Sequence, residues 1–294
     1  MLSRRSFILS SSMAAAAALL IPSFACMGDK KNVGLQLWSL RDELPKDVKG
    51  TIEKVAKAGF TQVEPYGFSI KDQYWGLNPI EFKKLLDDNS LYAPSGHYSL
   101  TNYLANGDTA ELEEAIVAAK VLGSEYITIP WLDPSIRKNA DDYMELVKKI
   151  NQAGKMCKDA GIRLAYHNHD FEFEKQGDTT GYEILLKGTD KNLVDFELDL
   201  YWVVRSGNDP IKLFKENAGR FTMWHVKDMD KKDPILNAEV GTGSINFKTI
   251  FADAKLSGMK YFFVEHETNY KPNPMESVAA SCAYIKKNLF NFSI

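Results

Sequence analysis

The feature that most constrains the fold of this chain is a regular alternation of short apolar runs with longer segments of helical pattern. From Asn32 onward the alternation repeats eight times. The apolar runs are VGLQLW (33–38), FTQVEPY (60–66), LYAPSGHY (91–98), YITIPW (126–131), IRLAYHNH (162–169), LVDFELDLYW (193–202), FTMWHVKD (221–228) and KYFFVEHE (260–267). Each run has the length and the β-branched or aromatic content of a buried strand, and a glycine often ends the segment between two runs, as at the end of a helix.

Strict alternation of strand and helix predicts right-handed βαβ units and a parallel sheet. Eight such units are the number that closes a (β/α)8 barrel, and a chain of 294 residues is long enough for one barrel with one core. The predicted fold class is therefore α/β, as a single (β/α)8 barrel over residues 32–294, with an open doubly wound sheet as the alternative. Cys157 and Cys282 lie far apart in helical segments, which predicts two buried free thiols rather than a disulfide.

The first 25 residues have the pattern of an export signal. Arg4 and Arg5 precede an unbroken apolar stretch, Met13 to Ile21, that is too short to span a bilayer as a helix. The stretch SRRSFIL resembles the twin-arginine export signal, and an ordinary secretory signal with a chance arginine pair would also mean export. We therefore expect residues 1–25 to be a signal peptide, residues 26–31 to be a short linker, and the mature protein to be periplasmic.

Cys26 follows the small-x-small sequence Ser23-Phe24-Ala25, so both ordinary cleavage and a lipid anchor on Cys26 remain open. No transmembrane helix is expected in the mature chain, and a homo-oligomer is left open. Arg4 and Arg5 are the only charged residues among the first 25, so their removal changes the formal charge from −3 to −5. An acidic exported chain is a poor candidate for binding nucleic acid.

Polar side chains gather late in the predicted strands, where barrel enzymes carry their active sites. Histidines occupy this position in four runs: His97, His167, His169, His225 and His266. Carboxylates occupy it in three: Glu64, Asp199 and Glu265. A single histidine there is more often a hydrogen-bonded core residue, but this convergence predicts a shared site on one rim.

A divalent metal held between several strands would take one ligand from each. His167, Asp199, His225 and Glu265 satisfy that requirement, because residues two apart in a strand share a face and these four come from different runs. Two imidazoles and two carboxylates suit manganese, zinc, cobalt or iron better than calcium. We expect one divalent metal ion, and the sequence does not rank these four.

Five motifs resemble one known superfamily, and they occur in its order: HNHDFEF, ELDLYWVVRSG, WHVKD, GTGSINF and FVEHE. They are similar to the xylose isomerase-like barrel superfamily, in the branch described as sugar phosphate isomerases/epimerases, over essentially the whole mature chain. The resemblance implies a metal bound by Glu, Asp, His and Glu on the fifth to eighth strands. Asp199, His225 and Glu265 match that pattern, whereas His167 stands in place of the first Glu, so only one of the family's paired acid and base glutamates is present.

The resemblance implies chemistry through an enediolate, formed when a base removes the proton between a carbonyl and a hydroxyl group. Glu265 is the expected base and His169 the expected acid, with His97, Glu172 or Lys227 as alternatives for the acid. Lys227 is expected either to stabilise an enolate or to pair with Asp199. The residues expected to bind substrate are Glu64, His97, Trp38, Trp131, Glu172 and Trp202.

The first functional hypothesis is a metal-dependent isomerase or epimerase that acts on an unphosphorylated carbohydrate. The close alternative is a lyase that eliminates across a keto-sugar or 3-keto-glycoside, for which one base suffices. A non-catalytic periplasmic sugar-binding protein is the alternative of another class, and the acidic charge disfavours an abasic-site endonuclease. The turn Gly241 to Ser244 is predicted to lead into a helix near Asn246 rather than to bind phosphate. Arg163 and Glu197 are predicted to form a buried ion pair outside the site.

Overall fold

A computed structural model describes residues 32–290 of the chain. The predicted signal peptide, the linker and Cys26 lie outside the described residues, so export and lipidation stay predictions. Within residues 32–290, no helix is both long enough and apolar enough to cross a membrane.

Eleven strands occur in the described residues, and seven of them form one parallel sheet. The strands are β1 (Gly34–Gln36), β2 (Gln62–Glu64), β3 (Tyr126–Ile129), β4 (Arg163–His167), β5 (Lys175–Gln176), β6 (Thr179–Thr180), β7 (Val194–Asp199), β8 (Met223–Val226), β9 (Asp228–Met229), β10 (Asn237–Ala238) and β11 (Tyr261–Val264). The parallel sheet has the order β2-β1-β11-β8-β7-β4-β3, while β5–β6 and β9–β10 are short antiparallel pairs. Each of the seven lies within one of the predicted runs.

The remaining predicted run, residues 91–98, lies between the two edge strands of this sheet. Val63 N donates to Tyr92 O on one side, and Tyr98 N donates to Thr128 O on the other. Its bridges to both neighbours are parallel. Pro94 lacks an N–H group, which interrupts a regular ladder. The segment nevertheless closes the sheet, so the (β/α)8 barrel is confirmed and an open doubly wound sheet is excluded.

Helices follow the strands in alternation. The α-helices of residues 32–290 are α1 (Val48–Lys57), α2 (Pro79–Asp88), α3 (Thr101–Asn106), α4 (Ala110–Leu122), α5 (Ala140–Asp159), α6 (Gly181–Gly188), α7 (Leu200–Arg205), α8 (Pro210–Glu216), α9 (Phe247–Ala252), α10 (Ala254–Ser257) and α11 (Pro274–Asn288). Short 3-10 turns occupy Leu37–Leu40, Pro134–Ile136 and Phe171–Phe173.

Helix α5 shows why these segments become helical. The Asn139 side chain accepts from Asp142 N and caps the first turn. The helix then buries Tyr143, Leu146, Ile150 and further residues at helical spacing, and it lies against β4. A single apolar stripe of this kind packs a helix against the outside of a barrel.

The barrel interior is built in layers. Side chains from four strands form an apolar layer: Tyr126, Ala165, Met223 and Phe263. Because residues two apart share a face, the next inward positions toward the carboxyl ends include His167, His225 and Glu265. These polar residues therefore lie above the apolar layer, at the carboxyl end of the barrel, where the sequence predicts the site.

The predicted Arg163–Glu197 ion pair is wrong. Arg163 Nη2 donates to Asp195 Oδ1 at 2.8 Å, and Glu197 is fully buried among histidines. Both carboxylates lie on the same face of β7, but Glu197 is two residues nearer the carboxyl end. Arg163 reaches the lower carboxylate, and Glu197 becomes part of the site.

Candidate active site

A pocket of about 440 Å³ opens at the carboxyl ends of the strands. Its lining residues are Trp38, Tyr66, Gly67, His97, Ser99, Pro130, Trp131, His167, His169, Glu265 and Glu267. Trp38 and Trp131 keep 40% and 42% of their surface exposed. Exposed indole faces beside acidic and imidazole groups can contact the apolar face of a sugar ring.

Lys227 lies below the pocket within a cluster of three carboxylates, which we call the acidic cluster: Asp199, Glu265 and Glu267. Its ammonium group is 3.0 Å from Asp199 Oδ2, 2.9 Å from Glu265 Oε2 and 2.8 Å from Glu267 Oε2. Burial opposes the charge, but the three carboxylates outweigh it and hold the pKa of Lys227 well above its usual range. Lys227 is therefore a permanent cation, and its predicted pairing with Asp199 is confirmed.

Glu265 stays ionised in this surrounding. Burial alone would raise its pKa, but Lys227 and then His225 bring the pKa well below the ordinary range for Glu. Glu265 also lines the pocket, so a charged carboxylate faces this space. A carboxylate in this state can accept a proton from a bound molecule whose C–H bond is already acidified by a carbonyl group.

A second group of side chains lies deeper in the barrel, and we call it the inner cluster: His97, His167, Glu197 and His225. Glu197 Oε2 is 2.7 Å from His97 Nε2, 3.4 Å from His167 Nδ1 and 3.2 Å from His225 Nε2. Glu64 borders the inner cluster, since His225 Nε2 is 2.8 Å from Glu64 Oε2. Burial and the neighbouring His225 lower the pKa of His167 to about 3, so this ring is neutral.

His225 is a member of the inner cluster and also contacts the acidic cluster. Its Nε2 atom faces Glu64 and Glu197, and its Nδ1 atom lies 3.0 Å from Glu265 Oε2. The ring therefore contacts both Glu197 of the inner cluster and the pocket-lining Glu265.

Buried His, Asp and Glu clusters able to bind a metal are present, but the predicted quartet does not form one of them. Ligand atoms of Asp199, His225 and Glu265 lie within 4.8 Å of one another, whereas His167 belongs to the group with His97, Glu197 and His225. The Lys227 ammonium already neutralises Asp199 and Glu265. The predicted set of His167, Asp199, His225 and Glu265 is therefore divided between the two clusters. Its two carboxylates, Asp199 and Glu265, already pair with the Lys227 ammonium.

Glu172 does not line the pocket. Its side chain is fully buried, and it accepts hydrogen bonds from Tyr166 Oη at 2.6 Å and His169 N at 2.8 Å. These contacts hold the backbone of His169, whose ring does line the pocket. The structure thus makes Glu172 a positioning residue for His169 rather than a contact for the substrate.

Glu64, Trp202 and His266 were also predicted on the site, and none of the three lines the pocket. Glu64 lies beneath the pocket, hydrogen-bonded to Gln36 Nε2 at 2.8 Å. Trp202 packs on His169 with ring centroids 5.4 Å apart. His266 points to the other face of its strand end and lies against Tyr270, so the prediction of five histidines on one shared site holds for four of them.

The Gly241–Ser244 turn behaves as predicted, because it leads to α9, which Asn246 caps. Backbone N–H groups of this turn bind the Asp228 carboxylate, since Gly241 N and Gly243 N donate to Asp228 Oδ2 at 2.9 and 3.0 Å. A Cβ atom on Gly243 would lie 2.3 Å from Asp228 Oδ1, so the turn needs glycine there. These amides are occupied by a carboxylate and are not free to bind a phosphate.

The pKa of Glu172 predicts a pH-dependent stability. Burial raises this pKa from 4.5 to about 7, so between these values the folded protein binds more protons than the unfolded chain. The free energy of unfolding should then fall as pH rises from 4.5 to 7, by up to about 3 kcal/mol. We expect Glu172→Gln, which imitates the protonated carboxyl, to remove this slope in urea titrations at several pH values. The exposed Glu174→Gln is the control, and identical slopes in wild type and Glu172→Gln would contradict the prediction.

The fold and the site together define a barrel with a charged, partly aromatic pocket at the carboxyl ends of its strands, which is where barrel enzymes bind their substrates. A family model described as xylose isomerase-like TIM barrel matches residues 52–288. The chain belongs to the xylose isomerase-like TIM barrel family. This confirms the superfamily that the five motifs indicate.

Relatives and solved structures agree with this family. Inosose dehydratase of Clostridium botulinum (strain Alaska E43 / Type E3) is 24% identical over 303 residues, which cover 88% of this chain and 97% of the relative. A sugar phosphate isomerase/epimerase from Parabacteroides distasonis ATCC 8503 has a TM-score of 0.77 and 29% identity, over 88% of this chain and 94% of that chain. The zinc-bound IOLI protein, with a TM-score of 0.69, 13% identity and coverage of 89% and 99%, supports the fold alone.

Proposed function

We propose that the protein is a metal-dependent lyase that eliminates water or an alcohol from an unphosphorylated keto-sugar. The observation that carries this proposal is the distribution of charge in the pocket. Its lining carboxylates, Glu265 and Glu267, both follow β11, and the other ionisable lining residues are Tyr66 and the imidazoles of His97, His167 and His169. An epimerase that uses two carboxylates needs one on each face of the sugar, whereas an elimination needs a single base.

The comparisons support the same choice. The relative from Clostridium botulinum is named for a dehydratase of inosose, and loss of water beside a ketone is an elimination. The Parabacteroides neighbour is named for isomerisation or epimerisation of a sugar phosphate. A phosphate group is disfavoured here because the pocket-lining residues of this chain include two glutamates and no lysine or arginine. The expectation of an isomerase or epimerase therefore becomes the second candidate.

In this proposal Glu265 is the base. It takes the proton from the carbon beside the ketone, the electron pair moves into an enolate, and the bond to the leaving hydroxyl or alkoxyl group breaks as the enolate re-forms the ketone. The same carboxyl then returns the proton to the leaving oxygen, so no second carboxylate is required. A bound divalent metal would supply positive charge that stabilises the enolate.

The neighbouring residues prepare this step. Lys227 keeps Glu265 ionised and fixes the position of Oε2. His169, held through its backbone by Glu172, offers a neutral imidazole to a sugar hydroxyl, since burial keeps its pKa well below the usual range. The exposed rings of Trp38 and Trp131 supply apolar faces for the sugar or for its aglycone.

The test is product analysis in D2O with the zinc- or manganese-supplemented protein and three substrates: inosose, a 3-keto-glucoside and fructose. A lyase converts a keto substrate to an unsaturated ketone with loss of water or the aglycone. An isomerase or epimerase instead gives a product of the same formula that carries deuterium at carbon. Deuterated fructose epimers without any elimination product would replace the proposal by the second candidate, and tight binding without turnover would favour a sugar-binding protein.

A further inference from the structure

The pocket has two unlike sides. The imidazole and carboxylate residues of its lining follow or end segment 91–98, β4 and β11. The rest of the lining is aromatic or small and follows β1, β2, segment 91–98 and β3, which are consecutive around the barrel. We call this part the aromatic side, and its residues are Trp38, Tyr66, Gly67, Ser99, Pro130 and Trp131. A sugar held by the imidazoles and carboxylates would therefore have an apolar surface beside it.

The rings of the aromatic side contact one another and still keep an exposed surface. Trp38 meets Tyr66 edge to face, with ring centroids 4.8 Å apart, and Tyr66 meets Trp75 in the same way at 5.2 Å. Trp38 and Trp131 nevertheless remain 40% and 42% exposed. Large apolar groups that stay exposed together in a concave pocket are typical of a ligand-binding surface.

Two arginines hold the exposed indoles in place. The guanidinium of Arg41 lies 5.3 Å from the centre of the Trp38 ring and donates to Trp38 O at 3.2 Å. The guanidinium of Arg137 lies 5.9 Å from the centre of the Trp131 ring and donates to Leu132 O at 2.9 Å. A cation over a ring face attracts it, and a backbone hydrogen bond fixes the cation. Both rings are thus positioned before a ligand arrives, which lowers the entropy cost of binding.

The aromatic side offers few hydrogen-bond partners. Within the described residues, its side chains provide the hydroxyl groups of Tyr66 and Ser99 and the two indole N–H groups. The Ser99 hydroxyl already lies 3.0 Å from Thr101 Oγ1. A second sugar ring carries a hydroxyl group on most of its carbons, and each one that leaves water needs a new partner. The aromatic side therefore disfavours a second sugar and suits a flat, apolar group.

The pocket has space for such a group beside a sugar. Its volume of about 440 Å³ lies within the range of roughly 300–1,000 Å³ that is typical of pockets for drug-sized ligands. The space beside the aromatic residues is open at Gly67, where an added Cβ atom would meet no heavy atom within 4 Å apart from its chain neighbours. A single monosaccharide at Glu265 and His169 would leave this space unused.

We propose that the aromatic side is a subsite for an aromatic aglycone, so that the substrates are keto-glycosides of phenols rather than free keto-sugars. The inference rests on the proposed lyase function and names its substrate class. In a 3-keto-glycoside, Glu265 takes the proton from carbon 2 and the bond from carbon 1 to the glycosidic oxygen breaks. A double bond forms between carbons 1 and 2, and the phenol oxygen receives the proton from Glu265. The ketone is neither oxidised nor reduced.

Binding rather than turnover tests the subsite, because a phenol is a better leaving group than an alcohol whatever surrounds it. The metal-supplemented Glu265→Gln variant keeps the shape of the pocket without the base. Calorimetry with this variant compares both anomers of phenyl and methyl 3-keto-glucoside, and 3-keto-cellobiose, whose aglycone is a second sugar. We expect one phenyl anomer to bind at least about tenfold more tightly than the other aglycones. Equal affinities, tightest binding of 3-keto-cellobiose, or no measurable binding of the phenyl compounds would overturn the proposal.

Variants of the two indoles show which side chains carry the preference. In the same Glu265→Gln background, Trp38→Leu and Trp131→Leu should each weaken binding of the phenyl compound at least about fivefold. Binding of the methyl compound should stay nearly unchanged, and Trp38→Phe and Trp131→Phe should keep most of the preference. Val117→Ala, at an exposed apolar position of α4 outside the pocket, is the control. Equal losses for the phenyl and methyl compounds in folded variants would mean that the indoles do not hold the aglycone.

The outcome for the subsite can be separated from the outcome for the reaction. Product analysis of the wild type with methyl 3-keto-glucoside reports the elimination by itself, because this substrate has no aromatic group. Elimination without a phenyl preference in the calorimetry would support the lyase and refute the subsite. A phenyl preference that depends on both indoles, without elimination by the wild type, would support the subsite and refute the lyase.

Discussion

Glu265→Gln should lower kcat/KM about 10³-fold on the substrate that the wild type eliminates, since a positioned general base contributes roughly 10²- to 10⁴-fold. The amide cannot take the proton from carbon, yet it has nearly the shape of the carboxylate. Glu265 is the pocket-lining carboxylate that contacts both Lys227 and His225, so no other group occupies its position. Steady-state kinetics and a thermal melt of the same preparation would measure both activity and folding.

The matched control is Glu267→Gln. Glu267 also lines the pocket and also contacts Lys227, but it is more exposed and has no contact with His225. Its substitution removes one hydrogen bond to a charged group, so we expect an effect at least about tenfold smaller than that of Glu265→Gln. Equal losses in the two variants would mean that charge in the acidic cluster matters but that Glu265 is not the base.

Asp228→Ala should reduce the free energy of unfolding by more than about 4 kcal/mol, because it leaves four backbone donors without an acceptor and each costs about 1–3 kcal/mol. The carboxylate accepts from Met229 N, Gly241 N, Gly243 N and Ile245 N at 2.8 to 3.1 Å. These bonds fix the loop that follows Lys227. Urea unfolding followed by circular dichroism would measure the change.

Asp87→Ala is the control for this experiment. Asp87 pairs with Lys83 on the exposed face of α2, and surface pairs of this kind contribute about 0–1 kcal/mol. Asp228→Asn should fall close to Asp228→Ala, since its amide group would face backbone N–H donors. A change below about 1 kcal/mol in Asp228→Ala would show that the loop satisfies its amides without the carboxylate.

The fold was predictable because the barrel is encoded by local pattern. Each predicted run contains a strand or, at residues 91–98, a segment that pairs on both sides. The position of the site followed from the same pattern, since parallel strands bring their carboxyl ends together. These steps need only the order of the elements and the two-residue period of a strand.

The assignment of ligands was less predictable, because it depends on how far one strand is shifted against the next. Period alone puts Glu197 and Asp199 on one face of β7, but the register pairs His167 with Glu197 and Asp199 with His225. That shift divides the predicted quartet between two layers and turns Glu197 from an expected structural residue into a member of the inner cluster. His266 was misplaced for a simpler reason, since it directly follows Glu265 and must face the opposite way.

The burial of two free cysteines affects how fast the protein is oxidised in an oxidising medium. Cys157 and Cys282 are free and fully buried, and burial raises their pKa values to about 12 and about 11. The thiolate is the form that reacts, and an oxidant must also reach it. Each sulfur is therefore protected by the packing of its helix, α5 or α11, and oxidation there requires that packing to open.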